Sequence, residues 1–160
     1  MALFRRQHDS LLDLSDEVLV HIMTFLSSSE DVMNTSLVCT KLKRIATDQK
    51  IMGKISFRKN FNMNNENIKK FLTIAAASGN TKVLNLNRLF WITPSIVHDQ
   101  IVKMKNLEEL HVVEINFTTN QFSTILSKLN NLKNLSFSWT WSKNTEDLLK
   151  PAETRGYKYD

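Results

Sequence analysis

Cysteine, proline and glycine are scarce in this 160-residue chain, which holds one Cys, two Pro and three Gly. The lone thiol, Cys39, cannot close an internal disulfide, so packing and hydrogen bonds must hold the fold, as suits a reducing compartment. The cytoplasm, the nucleus or both are the expected location. Gly53, Gly79 and Gly156 are far apart, which excludes a glycine-rich phosphate loop. The His residues at 8, 21, 98 and 111 lack metal-ligand spacing with one another and with Cys39, so no metal and no cofactor are expected. Cys39 lies in the apolar run Leu37-Val38-Cys39, where a thiol is inert core material rather than a nucleophile paired with His21 or His111. The chain is therefore read as non-catalytic. Long apolar runs are also missing. No window approaches the roughly 20 residues that cross a bilayer, and the start MALFRRQHDS has two Arg with no apolar stretch behind them.

What the chain does have, between residues 11 and 52, is three short helical patterns. Ser15 is placed to cap a first helix, with Asp16 and Glu17 favourable against the positive end of the helix dipole. Along it Val18, Ile22 and Phe25 form one apolar line, and Leu19, Met23 and Leu26 a second line beside it. Ser28 or Ser29 can cap a second helix through Val32, Met33 and Leu37, and Thr40 can open a third carrying Leu42, Ile45 and Ala46. A segment this short buries too little surface to hold itself together without disulfides, a metal or a partner. Its surplus apolar surface must meet the rest of the chain or another protein.

These residues resemble the F-box: Leu14-Ser15-Asp16-Glu17, Val18-Leu19, Ile22, Leu26, Asp31-Val32, Leu37-Val38-Cys39 and Lys41-Leu42-Lys43-Arg44-Ile45-Ala46 follow the family's order. The resemblance implies a module that inserts its helices into a Skp-type adaptor, which bridges to a cullin and the ubiquitin-transfer machinery. The contact residues it implies are Leu14, Ser15, Glu17, Val18, Leu19, Ile22, Leu26, Val32, Val38, Leu42 and Ile45. Several positions depart from the family: Ser15 stands at its usual Pro, and Leu42 at a position often held by Trp. Ile51-Met52 replaces the closing Leu-Trp. Large aromatic contacts are thereby lost, which points to weaker adaptor affinity than is usual.

Beyond residue 52 the triplet Leu84-Asn85-Leu86 recurs as Leu110-His111-Val112 and Leu135-Ser136-Phe137, at intervals of 26 and 25 residues, with an earlier copy, Ile55-Ser56-Phe57, 29 residues before Leu84. Each triplet alternates as a half-buried strand does. Between them Ile68, Phe71, Leu72 and Ala75, then Ile96, Val97, Ile101 and Met104, then Phe122, Ile125, Leu126 and Leu129 have helical spacing. The period and the strand-helix alternation resemble leucine-rich repeats, but Leu89, Ile115 and Thr140 stand where that family's turn carries Asn or Cys, so its internal ladder is expected to be missing or altered. The expected fold is thus α plus α/β: a three-helix F-box module followed by a short leucine-rich-repeat solenoid of about three to four units. The division is residues 1–10 as a flexible start, 11–52 as the F-box, 53–139 as the repeats and 140–160 as a tail. Alternation puts Lys54, Arg58, Asn85, Asn87, Glu109, His111, Asn134 and Ser136 on the concave face, where such arrays hold a protein target. Trp91, Trp139 and Trp141 follow strands, at the rim of that sheet.

Net charge is +5, and from Lys41 to Lys70 nine basic residues face two acidic ones. The reading adopted is a solvated surface or one that meets acidic groups of an adaptor, because no nucleic-acid motif accompanies the charge. The function expected is substrate recognition for a cullin-based ubiquitin ligase, with no membrane partner. The alternatives are a chain that occupies the adaptor without delivering a target, and a basic nucleic-acid-binding module.

Overall fold

Ser10 and Asp13 cap one another's backbone, and the 3-10 turn Leu11–Asp13 leads into four short helices: α1 (Asp16–Thr24), α2 (Ser29–Ser36), α3 (Thr40–Ala46) and α4 (Gln49–Met52). The computed structural model describes residues 10–26, 28–57 and 64–138. Then follow β1 (Lys54–Ser56), α5 (Asn65–Ser78), β2 (Val83–Asn85), α6 (Pro94–Ile101), β3 (Glu109–Val112), α7 (Thr119–Lys128) and β4 (Asn134–Phe137). The four strands form one parallel sheet in chain order. The chain is a helical region followed by a small α/β region with parallel strands.

Cap chemistry sets most of these boundaries. Ser28 accepts a hydrogen bond from the Asp31 N–H, Asn64 from Asn67 and Thr118 from Gln121, each satisfying a backbone donor that a helix start leaves free. Two expected caps differ. Ser15 does hold the N-cap position of α1, but its hydroxyl makes no cap hydrogen bond to a backbone N–H. On α3 the cap is Cys39, not Thr40: its sulfur accepts from the Leu42 N–H at 3.5 Å. At the end of α5, Gly79 turns left-handed with φ of 68°, which glycine adopts without the Cβ penalty.

A single continuous core runs from the helices into the sheet. The inner line of α1, Leu19 and Met23, meets Val32, Met33, Ile45 and Met52, and the same cluster continues through Ile55, Phe71, Leu84, Leu110 and Leu135. The helical spacings read from the sequence hold: Ile68, Phe71, Leu72 and Ala75 of α5 and Phe122, Ile125, Leu126 and Leu129 at α7 are all buried, while on α6 Val97 and Ile101 are buried and Ile96 is half-buried. The surplus apolar surface of the helical module is thus partly covered by the rest of this chain. Gly53 makes the junction tight, since a Cβ there would lie 2.7 Å from the Gln49 carbonyl oxygen.

Of the turn positions at which the ladder is expected to be missing or altered, Leu89 and Ile115 are described and Thr140 lies outside the described residues. Leu89 and Ile115 are buried apolar residues, and just before each the backbone turns left-handed, at Arg88 (φ 65°) and Glu114 (φ 71°). Backbone groups there are satisfied from neighbouring turns: the Val113 N–H donates to Asn87 Oδ1 at 2.8 Å and the Glu114 N–H to Ser138 Oγ at 2.7 Å. An asparagine ladder stands at the opposite ends of the strands. The amides of Asn80, Asn106 and Asn131 donate to the carbonyls of Thr47, Gly79 and Lys105 at 2.8, 2.8 and 2.9 Å. Beside it each strand start forks onto one carbonyl of the unit before. Gly53 O accepts from Lys82 and Val83, Lys82 O from Glu108 and Glu109, and Glu108 O from Lys133 and Asn134.

Candidate functional site

The two apolar lines of α1 part company in the structure. Leu19 and Met23 are sealed in the core, with Leu26 half-buried against it, whereas Val18, Ile22 and Phe25 are 44%, 39% and 74% exposed. Helical spacing forces this: residues three or four apart share a face, and one face already meets α3 and α4. Phe25 lies edge-on to His21 with ring centroids 4.9 Å apart, which extends the exposed line by one ring.

Neighbouring elements enlarge this stripe. Lys41 donates to the Leu12 and Leu14 carbonyls, the latter at 3.0 Å, and so holds the Leu11–Asp13 turn beside the start of α3. Arg44 makes a two-pronged ion pair with Asp16, one arm at 2.9 Å, joining α3 to the first turn of α1. The Arg44 hydrogen bond holds the Asp16 carboxyl below its ordinary pKa, and Asp16 in turn raises that of Arg44. Leu11, Leu12, Leu37 and Val38 are exposed as well. Among the described residues, the large exposed apolar side chains are these four, the three on α1 and Phe90.

Of the contact residues inferred from the sequence, Ser15, Glu17, Val18, Ile22 and Val38 are exposed, and Leu14 and Leu26 are half-buried. Leu19, Val32, Leu42 and Ile45 are at most 8% exposed and support the chain's own core. They lie on inward faces that α1, α2 and α3 turn to one another. Sequence reasoning missed Leu11, Leu12, Phe25 and Leu37 as exposed candidates; for Phe25 the signal was its place in line with Val18 and Ile22.

The second candidate surface is the polar face of the sheet. Parallel register sets Asn85, His111 and Ser136 side by side, with Lys54 and Glu109 one row away. His111 Nδ1 lies 3.0 Å from Ser136 Oγ and its Nε2 lies 3.7 Å from Glu109 Oε2. Asn85 Oδ1 accepts from the Asn87 N–H, while Asn87 spends its own oxygen on Val113. Lys54 and Asn134 are exposed, and Asn85, Asn87, Glu109, His111 and Ser136 are half-buried. Asn87 therefore has a turn-bracing job as well as a place on the face. Arg58, Trp139 and Trp141 lie outside the described residues. Trp91 packs against the core and meets Phe90 edge-on at 5.2 Å.

Cys39, expected as inert core material, is half-buried, and its sulfur caps α3. No three of His, Cys, Asp and Glu converge on a metal position among the described residues, and none of the described helices is long and apolar enough to cross a membrane. The basic stretch is partly spent within the chain: Lys41 on carbonyls, Arg44 on Asp16, Lys70 on Glu66 at 2.6 Å.

Residues 11–58 match the family described as F-box-like. The chain carries an F-box-like domain. The match covers all four helices and runs past β1, so the family pattern includes the helical region and its junction with the sheet. The chain is also similar to the human (Homo sapiens) F-box/LRR-repeat protein 18, with 21% identity over 126 residues that make up 79% of this chain and 17% of that protein. It thus spans about a sixth of that relative's length. The aligned stretch is longer than the F-box-like domain itself and so reaches into the parallel-strand region.

Proposed function

We propose that the F-box-like domain docks a Skp-type adaptor, and through it a cullin, while the strand-helix units form a short leucine-rich-repeat array that presents a protein target for ubiquitin transfer. The observation that carries the reading is the outward line Val18, Ile22 and Phe25, left bare on a helix whose other face is fully packed. Such a line is costly in water. Each large apolar side chain, half exposed here, contributes on the order of 1 kcal/mol when a partner covers it.

The repeat half of the proposal draws on the 29-, 26- and 25-residue periods, the parallel register and the repeated carbonyl fork and asparagine ladder. A target would lie on the face that bears Lys54, Asn85, Asn87, Glu109, His111, Asn134 and Ser136. The His111–Ser136 contact orders that face before anything binds. The chain itself performs no bond-making step: it raises the effective concentration of target near a separate transferring enzyme. Such a role places it in the cytoplasm, the nucleus or both.

Co-purification with a Skp-type adaptor tests the docking half. Ile22→Asp sets a charge in an apolar interface and abolishes the complex; unchanged binding would mean the stripe is not the contact. Cullin-dependent loss of a captured target then separates a receptor from a chain that merely occupies the adaptor.

A further inference from the structure

Between the α2–α3 turn and α5 a groove of about 720 Å3 opens to solvent. Its walls are mostly carbon: Leu37 and Cys39 on one side, Thr73 and Ile74 on the other. This volume falls in the range of ligand-binding clefts and holds a few side chains. Leu37 is 48% exposed and Ile74 half-buried, so neither wall is closed by the chain's described residues.

The charge around the groove is predominantly positive. Lys43 stands on the α3 side and Lys69 and Lys70 on the α5 side, with Glu66 as the acidic member. Lys70 is held by Glu66 at 2.6 Å, which neutralises that pair and keeps the Glu66 carboxyl below its ordinary pKa. Lys43 and Lys69 have no carboxylate partner among the described residues. Two uncompensated ammonium groups therefore flank an apolar trough. The lining holds no aromatic side chain on which a nucleic-acid base could stack. Apolar walls between two cations complement a chain that carries aliphatic side chains flanked by carboxylates.

We infer that this groove is a docking site for an acidic, leucine-bearing peptide segment of a target protein. The segment lays its aliphatic side chains against Leu37 and Ile74 and its carboxylates against Lys43 and Lys69. The groove borrows Leu37 from the exposed apolar surface of the helical module and takes its other wall from α5, so it stays open when only the α1 line is covered.

Fluorescence anisotropy of the full chain with a short labelled peptide, leucines flanked by glutamates, tests it. The glutamate peptide binds, and its glutamine counterpart and the Lys43→Glu/Lys69→Glu protein each bind about tenfold more weakly. Thr73→Trp, which fills the trough, blocks binding while the unfolding midpoint stays in place. Binding persists when a Skp-type adaptor is added. The inference is overturned by no binding at millimolar peptide, by equal affinity of the glutamine peptide or the variants, or by displacement on adding the adaptor. Equal binding of polyuridine overturns it too, as does a gain in affinity on Leu148→Asn/Leu149→Asn, which would give the groove to this chain's own Glu146-Asp147-Leu148-Leu149 stretch.

Discussion

The helical region and the sheet region share one core yet finish their surfaces in opposite ways. Outside the core, the helices leave Leu11, Leu12, Val18, Ile22, Phe25, Leu37 and Val38 exposed, whereas among the described residues of the strand-helix units Phe90 alone is a large exposed apolar residue. The strand-helix units cover themselves because adjacent strands pair in parallel and adjacent helices pack, so the apolar residues of one unit meet those of the next. Among the described residues, the four short helices have no such neighbour on their outer side. The difference teaches that the two faces of α1 are finished differently: Leu19 and Met23 serve the fold, and Val18, Ile22 and Phe25 are left for the proposed docking.

The harshest way to break that comparison is to damage the shared core. Phe71→Ala removes a ring that is 1% exposed and meets Phe57 edge-on at 5.6 Å, and it should cost about 3–5 kcal/mol. Because the core is continuous, urea unfolding followed by far-ultraviolet circular dichroism should show helices and strands melting together at a lower midpoint. Two separate transitions would mean the regions are independent.

A pair of charges on α1 sharpens it next. Leu19→Asp buries a carboxylate and should unfold the chain, at a cost of several kcal/mol. Ile22→Asp, one turn away, should shift stability by no more than about 0.5 kcal/mol and remove adaptor binding. Similar losses of stability in both would dissolve the distinction between the faces.

Smaller effects probe the repeat side. Gly79→Ala forces a side chain into a left-handed turn and should cost about 1 kcal/mol. Asn106→Ala removes the amide that braces the Gly79 carbonyl and should cost roughly 0.5–1.5 kcal/mol. Both are read from chemical denaturation midpoints, and neither should alter adaptor binding.

The smallest effect is electrostatic. Glu108 stands between Lys133 at 2.6 Å and Lys82 at 3.0 Å, and hydrogen bonds from the two hold its carboxyl below the ordinary glutamate pKa. A carboxyl lowered in the folded state stabilises above its unfolded pKa and loses that contribution as pH falls through the folded value. Stability should therefore decline slightly on acidification below the ordinary glutamate range, less so in high salt, and Glu108→Gln should flatten that part of the profile.

Much of this was legible beforehand, for physical reasons. The two lines on α1 follow from helical spacing, and the strand-helix alternation follows from periods of 2 and 3.6 in the apolar residues. Which line faces inward was not legible, because Val18 and Leu19 are equally apolar and only the packing of α3 and α4 decides between them. Leu42 and Ile45 were named as contacts from the F-box resemblance, which does not say that both side chains pack into the chain's own core. Asn106 and Asn131 stood in matching positions, but a polar residue before a strand does not announce which carbonyl it will brace. The cap by Cys39 was hidden because sulfur is a weak acceptor, and the groove beside it because its walls lie far apart in the chain. The altered ladder was visible as Leu89 and Ile115, though not the replacement supplied by Asn87 and Ser138.

The central claim is that the outer face of α1 is built to be covered by an adaptor. Calorimetric titration of a purified Skp-type adaptor into the intact chain and into its Phe25→Asp variant tests this most directly. The account predicts a micromolar or tighter complex with the intact chain and none with the variant, whose unfolding midpoint stays unchanged. Equal binding by both, or no heat of binding from the intact chain at micromolar concentration, would contradict it.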